Sequence, residues 1–243
     1  MSRKLKHPRI QEALVELRAT FARPLTLDDL SAFRDEIGVA YPHISPQREW
    51  SGRIDLGAAG PATSGDLREV GFLLTTTDKT RAVQARVDGL RFSRLDSYDG
   101  WEPFLGEVQR LWAKYRAVTN PIGVERIGVR FINRYPIPPV VDLKDYLKTG
   151  AELAPALPQE ISSLFFRVVV PIDPRTSVVV TQLIDPTKEQ SALVLDIDAM
   201  RLGPFELKEE VLWSGLDALR TLKNQFFFES VTDKIITLCG GDI

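Results

Sequence analysis

Residues Val70 to Tyr115 and Ser177 to Leu222 carry one pattern twice, at an offset of 107 positions: an extended run, a turn, a second extended run and an amphipathic helix. The first turn is Asp78-Lys79-Thr80, between VGFLL and ARV. The second is Asp185-Pro186-Thr187, between SVVVT and ALVLDI. At the same offset Phe104, Leu105, Val108, Leu111, Trp112 and Tyr115 fall on Val211, Leu212, Gly215, Ala218, Leu219 and Leu222, so the apolar stripe of one helix matches that of the other. A chain built this way is expected to be α+β, with two similar strand-strand-helix halves, approximately residues 10–150 and 160–240 of one globular unit. Its mainly antiparallel strands are expected to form one sheet or a half-open barrel with helices packed on one face.

The remaining segments fit that plan. Ile10 to Phe21 alternates, with Ala13, Val15, Leu17, Ala19 and Phe21 on one face and Glu12, Leu14, Glu16, Arg18 and Thr20 on the other, the signature of a half-buried strand. Thr26, Asp28 and Asp29 open a helix whose apolar side is Leu27, Leu30, Phe33 and Ile37. Val124 to Tyr135 reads as a strand. Ile161–Pro171, Thr176–Asp185 and Ser191–Asp198 read as a meander, followed by a helix over Glu206–Phe227 and a shorter one over Thr232–Cys239. From Tyr41 to Asp66 the chain is rich in Pro, Gly, Ser and Ala, which predicts a loop, flexible over 51–66.

Charge and cysteine content exclude several function classes. With 31 basic and 33 acidic residues the net charge is −2, so no global field draws the chain to nucleic acid or anionic lipid, and an anion site must be a local patch. The single cysteine, Cys239, forms no internal disulfide and no multi-cysteine zinc site, which fits a reducing cytoplasm. Two histidines, His7 and His43, make a histidine-rich metal site an unsuitable reading. No run approaches the roughly 20 apolar residues of a membrane helix. Neither a Gly-x-Ser-x-Gly elbow nor a phosphate-binding glycine loop occurs, and Cys239, in IITLCGG, reads as a packed thiol.

The most suggestive local feature is VERIGVRFINRY. Alternation places Ile127, Val129, Phe131 and Asn133 on one face and Arg126, Gly128, Arg130, Ile132 and Arg134 on the other. A row of guanidiniums, with Arg18 beside it, suits an anionic ligand or an acidic partner. The same row also suits a sheet face on which each arginine pairs with an acid of a neighbouring strand. Glu12 with Glu16, and Asp196 with Asp198, are the candidate acids, because alternation puts each pair on one strand face. Were they to converge with the arginines on a cavity, they could hold Mg²⁺ beside a phosphate. That arrangement is loosely similar to the triphosphate tunnel enzymes. Their opening Glu-x-Glu-x-Lys is replaced here by Glu16-Leu17-Arg18, so half of the metal motif is missing.

Two terminal features admit partners. Arg3, Lys4, Lys6 and Arg9 form a basic tail that could touch nucleic acid or be plainly solvated. Phe226-Phe227-Phe228 cannot all face one core from a helix, so at least one is expected to be exposed or to meet a partner, such as a second subunit.

Pro8-x-Ile10-x-Glu12-Ala13 running into Glu16-Leu17-Arg18, the run Glu125 to Arg134, and Phe228-Glu229-Ser230-x-Thr232-Asp233 resemble a sporadically distributed, uncharacterised family of prokaryotic proteins of about 250 residues. The resemblance spans nearly the whole chain and implies no mechanism. The leading expectation is a non-catalytic binding or assembly module without a cofactor, forming a homo-oligomer, that uses Arg18, Arg126, Arg130 and Arg134. The alternative is a metal-dependent phosphohydrolase or nucleotide-processing enzyme using those arginines with Glu12, Glu16, Asp196 or Asp198.

Overall fold

A computed structural model describes residues 5–57, 60–96, 98–186 and 191–241. The strands are β1 (Ile10–Thr20), β2 (His43–Gly57), β3 (Gly60–Thr75), β4 (Arg81–Arg86), β5 (Gly89–Leu95), β6 (Gly123–Ile137), β7 (Val141–Asp142), β8 (Glu160–Ile161), β9 (Phe165–Pro171), β10 (Thr176–Asp185) and β11 (Ser191–Phe205). The helices are α1 (Ser31–Ile37), α2 (Trp101–Thr119), α3 (Glu209–Ser230) and α4 (Asp233–Leu238). Nine strands form one antiparallel sheet in the order β2-β3-β4-β5-β1-β6-β11-β10-β9, and β7 pairs with β8 apart from it. The fold is α+β. Its sheet is open, with β2 and β9 as edges.

The alternation read in β1 and β6 sets the layers. Ala13, Val15 and Leu17 of β1, Ile127, Val129 and Phe131 of β6, and Leu195, Ile197 and Ala199 of β11 are buried in one core with Phe104, Leu111, Trp112 and Tyr115 of α2 and Leu212, Leu216 and Leu219 of α3. Aromatic geometry locks the first half of this layer. The Phe33 and Tyr115 rings meet edge-on at 5.7 Å, and the Tyr115 hydroxyl donates to the Arg86 carbonyl at 2.7 Å. Even-numbered residues of β1, β6 and β11 face the other side of the sheet, which carries most of its charge.

On either side of the central β1–β6 pair the chain takes the same course. β5, β4 and β3 lie outward of β1, β11, β10 and β9 lie outward of β6, and β5 and β11 each lead into a long helix. The strands do not match at the offset of 107. That offset sets the end of β3 against β10, while residues 84–95, the end of β4, its turn and β5, fall on 191–202 within the single long strand β11. The extra reversal is at Val87-Asp88-Gly89, where Gly89 has φ +147° and a Cβ would come within 2.2 Å of the Leu17 carbonyl oxygen. Asp-Gly is a hairpin signal, and there it closes β4 onto β5. Thr187, expected in the second turn, lies outside the described residues.

The segment expected as a loop over 51–66 is extended strand at 51–57 and 60–66 instead. β2 and β3 pair from His43↔Thr75 to Gly57↔Gly60, whereas β3 meets β4 only from Gly71 to Thr75, so the rest of the hairpin is a two-stranded ribbon beyond the sheet. Backbone ladder bonds do not depend on apolar side chains, so low apolar content does not exclude a strand. Ala58 and Ala59 lie outside the described residues.

The end of α3 also departs from expectation. None of Phe226, Phe227 and Phe228 is exposed: Phe227 is buried, its neighbours are partly buried against the same core, and the rings of Phe227 and Phe228 meet at 5.2 Å. The reason is that the N-terminal segment packs here too, with the His7 amide donating to the Cys239 carbonyl at 2.9 Å. Cys239 is buried, and burial raises its thiol pKa. No helix among the described residues is long and apolar enough to cross a membrane.

Candidate functional site

The residues singled out on the sheet do share one face, but as closed ion pairs. Glu16, 5% exposed, is central: its carboxylate lies 2.6 Å from Arg91, 2.6 Å from Arg126 and 3.4 Å from Arg18. Register explains the cluster, since Glu16 faces Arg91 on β5 while Arg18 faces Arg126 on β6. Farther along, Arg130 makes a two-pronged contact to Asp196 at 2.6 and 2.9 Å, and Arg134 meets Asp185 at 2.7 Å. Glu12 accepts from the Ser93 hydroxyl at 2.6 Å. Among the described residues Asp198 is paired with Arg126 alone, at 3.7 Å, and burial keeps its carboxyl above the usual range despite the nearby Arg126 and Arg130.

Successive members of the arginine row are four residues apart, about 14 Å along the strand, so each meets a different acid. The five guanidiniums of Arg18, Arg91, Arg126, Arg130 and Arg134 meet the carboxylates of Glu16, Asp185, Asp196 and Asp198, while Glu12 is held by Ser93 instead. The Nε groups of Arg18 and Arg126 have no hydrogen-bond partner, but their charge is already met by Glu16. Nor do the carboxylates gather as a metal site would require. Among the described residues no three Asp, Glu, His or Cys side chains are placed to hold an ion.

A different arrangement lies on the helix side of β6. A cavity of about 550 Å³ sits between β6, the C-terminal half of α3, the start of α2 and the N-terminal segment. Its wall includes Phe131 and Asn133 of β6, Trp101 of α2, and Arg220, Lys223 and Phe228 of α3. Exposed Lys6, Pro8, Asp99 and Glu102 line it too, and they mark its mouth. Tyr98 leans on Phe131 edge-on at 5.0 Å, and the Trp101 indole donates to Asp217 at 2.6 Å, tying α2 to α3 across the cavity.

Lys223 is the anomaly of this site. It occupies the buried stripe of α3 formed by Leu212, Leu216, Leu219 and Phe227 and is itself 6% exposed. Its ammonium nitrogen stands 3.7 Å from the centre of the Phe131 ring, and among the described residues no carboxylate pairs with it. Arg220, one turn earlier on the same face, is likewise without an ion pair and stacks over Trp101 at 5.3 Å. Burial, with a smaller push from Arg220, lowers the Lys223 pKa to about 7. The Phe131 ring opposes this by favouring the ammonium, so both protonation states belong to neutral pH.

Sequence reasoning placed Phe131 and Asn133 on the buried face of β6 but drew nothing from them, and it passed over Lys223. The signal was present. A lysine at the fourth position of the stripe Leu212, Leu216, Leu219, Lys223, Phe227 breaks an otherwise apolar helix face, as Asn133 breaks the face Ile127, Val129, Phe131. Of the basic tail, Lys6 reaches the cavity mouth, and Arg9 accepts the Arg134 amide at its carbonyl, 2.9 Å away. Arg3 and Lys4 lie outside the described residues.

No protein-family model matches the chain, and no curated protein does. Among solved structures it is similar to DynU16, a protein in the dynemicin biosynthetic locus, at 11% identity over 90% of this chain and 93% of that one. The TM-score is 0.24, a likeness too slight to inform fold or function.

Proposed function

We propose that the protein is a non-catalytic binding module that takes a small anionic ligand with an apolar body into the cavity between β6 and α3. Lys223 and Arg220 hold the anion, and Phe131, Trp101 and Phe228 enclose the body. The observation that carries this reading is the buried, acid-free lysine at the cavity wall. Placing an ammonium in such surroundings costs several kcal/mol unless a counter-charge arrives. A ligand carboxylate would supply it, and a cavity of this size is in the range of small-molecule sites. The arginine row is the weaker anion site, because its charge is spent on resident acids.

Thermal-shift measurements with phenylacetate and decanoate, set against phenylacetamide and decanol, test the reading. A ligand at 100 times its dissociation constant stabilises the native state by about 2.7 kcal/mol. The acids are expected to raise the melting temperature, the neutral analogues to do so far less, and Lys223→Met to abolish the difference. Equal shifts from acids and neutral analogues, or none from the acids, would overturn it.

The resemblance to a sporadic prokaryotic family and a cytoplasmic location, with which a lone buried cysteine is compatible, belong to the same proposal. So does assembly. Edge strand β9, FFRVVVP, carries one charge, Arg167, and exposes Phe165 and Val169, with little of the protection that usually keeps edges from pairing.

A further inference from the structure

We propose that Lys223 holds ligands bearing an aldehyde or ketone covalently, as a reversible imine; this rests on the binding reading above. An anion anchor alone would be served better by arginine, which keeps its charge in any surroundings and grips a carboxylate with two parallel bonds. Arg220 already fills that role on the same helix face. What lysine adds is a primary amine, and its setting favours the nucleophilic form. Among the described residues no acid holds the proton on, Arg220 disfavours a second positive charge, and Lys223 itself is only 6% exposed. The pKa near 7 supports this, since a substantial share of the amine is then neutral at neutral pH.

The step needs no co-reactant. The Nζ lone pair forms a bond to the carbonyl carbon, the π pair moves to oxygen, and a proton passes from nitrogen to oxygen to give a carbinolamine. That hydroxyl leaves as water when protonated, and loss of the remaining nitrogen proton leaves C=N. Amine and carbonyl become imine and water, with nothing oxidised or reduced. Described lysines elsewhere are differently placed: Lys208 and Lys234 have raised pKa values through Glu206 and through Tyr146 with Asp145, and Lys114 is paired with Glu36. Lys208 and Lys234 therefore stay protonated and unreactive at neutral pH. A 4-carboxybenzaldehyde molecule combines both requirements, with its carboxylate for Arg220, its ring for the aromatic wall and its carbonyl for Lys223.

The test is reductive trapping of the full-length protein at pH 7 with 4-carboxybenzaldehyde and cyanoborohydride, mapped by peptide mass spectrometry. Labelling is expected at Lys223, at least tenfold above any other lysine, and suppressed by phenylacetate. Lys223→Arg, checked for folding by circular dichroism, should lose the label. Labelling spread over surface lysines without preference would overturn the proposal. Binding of phenylacetate without trapping would overturn the imine and leave the binding reading intact. Selective trapping without any response to carboxylates would support the reactive amine and overturn the anion reading, and failure of both measurements would overturn both.

Discussion

Lys223 of α3 places its amine 3.7 Å above the Phe131 ring of β6, where a buried lysine would ordinarily have a carboxylate. A group kept at the expense of stability is expected to reveal that when removed. Lys223→Met, which preserves chain length and apolar bulk, should stabilise the protein at pH 7 by about 1–4 kcal/mol while erasing the response to phenylacetate. Urea unfolding of both proteins, with and without phenylacetate, measures the two effects together.

The gain from that substitution should depend on pH with a definite sign. The folded pKa of Lys223 is about 7, against 10.5 for an ordinary lysine, so between these values the unfolded chain binds more protons than the folded one. Wild-type stability relative to Lys223→Met therefore rises from pH 7 toward 10.5, at up to about 1.4 kcal/mol per pH unit. Below pH 7 both states hold the proton and the difference is flat. Of the other groups lining the cavity, Arg220, Asp99, Glu102 and Lys6 are common to both proteins, and burial moves the Tyr98 phenol up and out of this window. A flat difference from pH 7 to 10 would contradict the assignment.

On the opposite face Glu16 holds two arginines that have no better partner nearby. Glu16→Ala is expected to cost about 2–3 kcal/mol, below the usual figure for a fully buried pair because Arg91 and Arg126 keep some solvent. The double variant Glu16→Ala/Arg126→Ala should be at least 1 kcal/mol more stable than the sum of its single effects predicts. Arg130→Ala and Arg134→Ala, which break partly buried pairs at an expected cost of about 1 kcal/mol each, should leave carboxylate binding unchanged.

The ribbon beyond Gly71 has no third strand beneath it. Replacing residues 52–65 by a two-residue turn should shift the melting temperature by less than about 2 °C, because the nine-stranded sheet and its core are untouched. A larger loss would show that the ribbon packs on the body of the protein.

The strand faces and helix stripes were legible because alternation and 3.6-residue spacing are local: Val15 beside Glu16 and Leu216 beside Asp217 declare their sides without knowledge of neighbours. The pairing of Glu16 with Arg91 was not legible, since it needs the register of β1 on β5, 75 residues away. The expected pattern of an extended run, a turn, a second extended run and a helix leaves no place for β5, which the reversal at Val87-Asp88-Gly89 adds. The cavity escaped because attention to charged residues on exposed faces overlooks a charged residue on a buried one, which is where Lys223 lies.

The most direct measurement is an NMR titration of the lysine side chains, isotopically labelled at the terminal carbon or nitrogen, with Lys223→Met to assign the signal. One lysine titrating near pH 7 in the free protein, and moving upward by a unit or more when phenylacetate is added, is the predicted result. A Lys223 signal that titrates near 10.5, or is indifferent to the carboxylate, would contradict it.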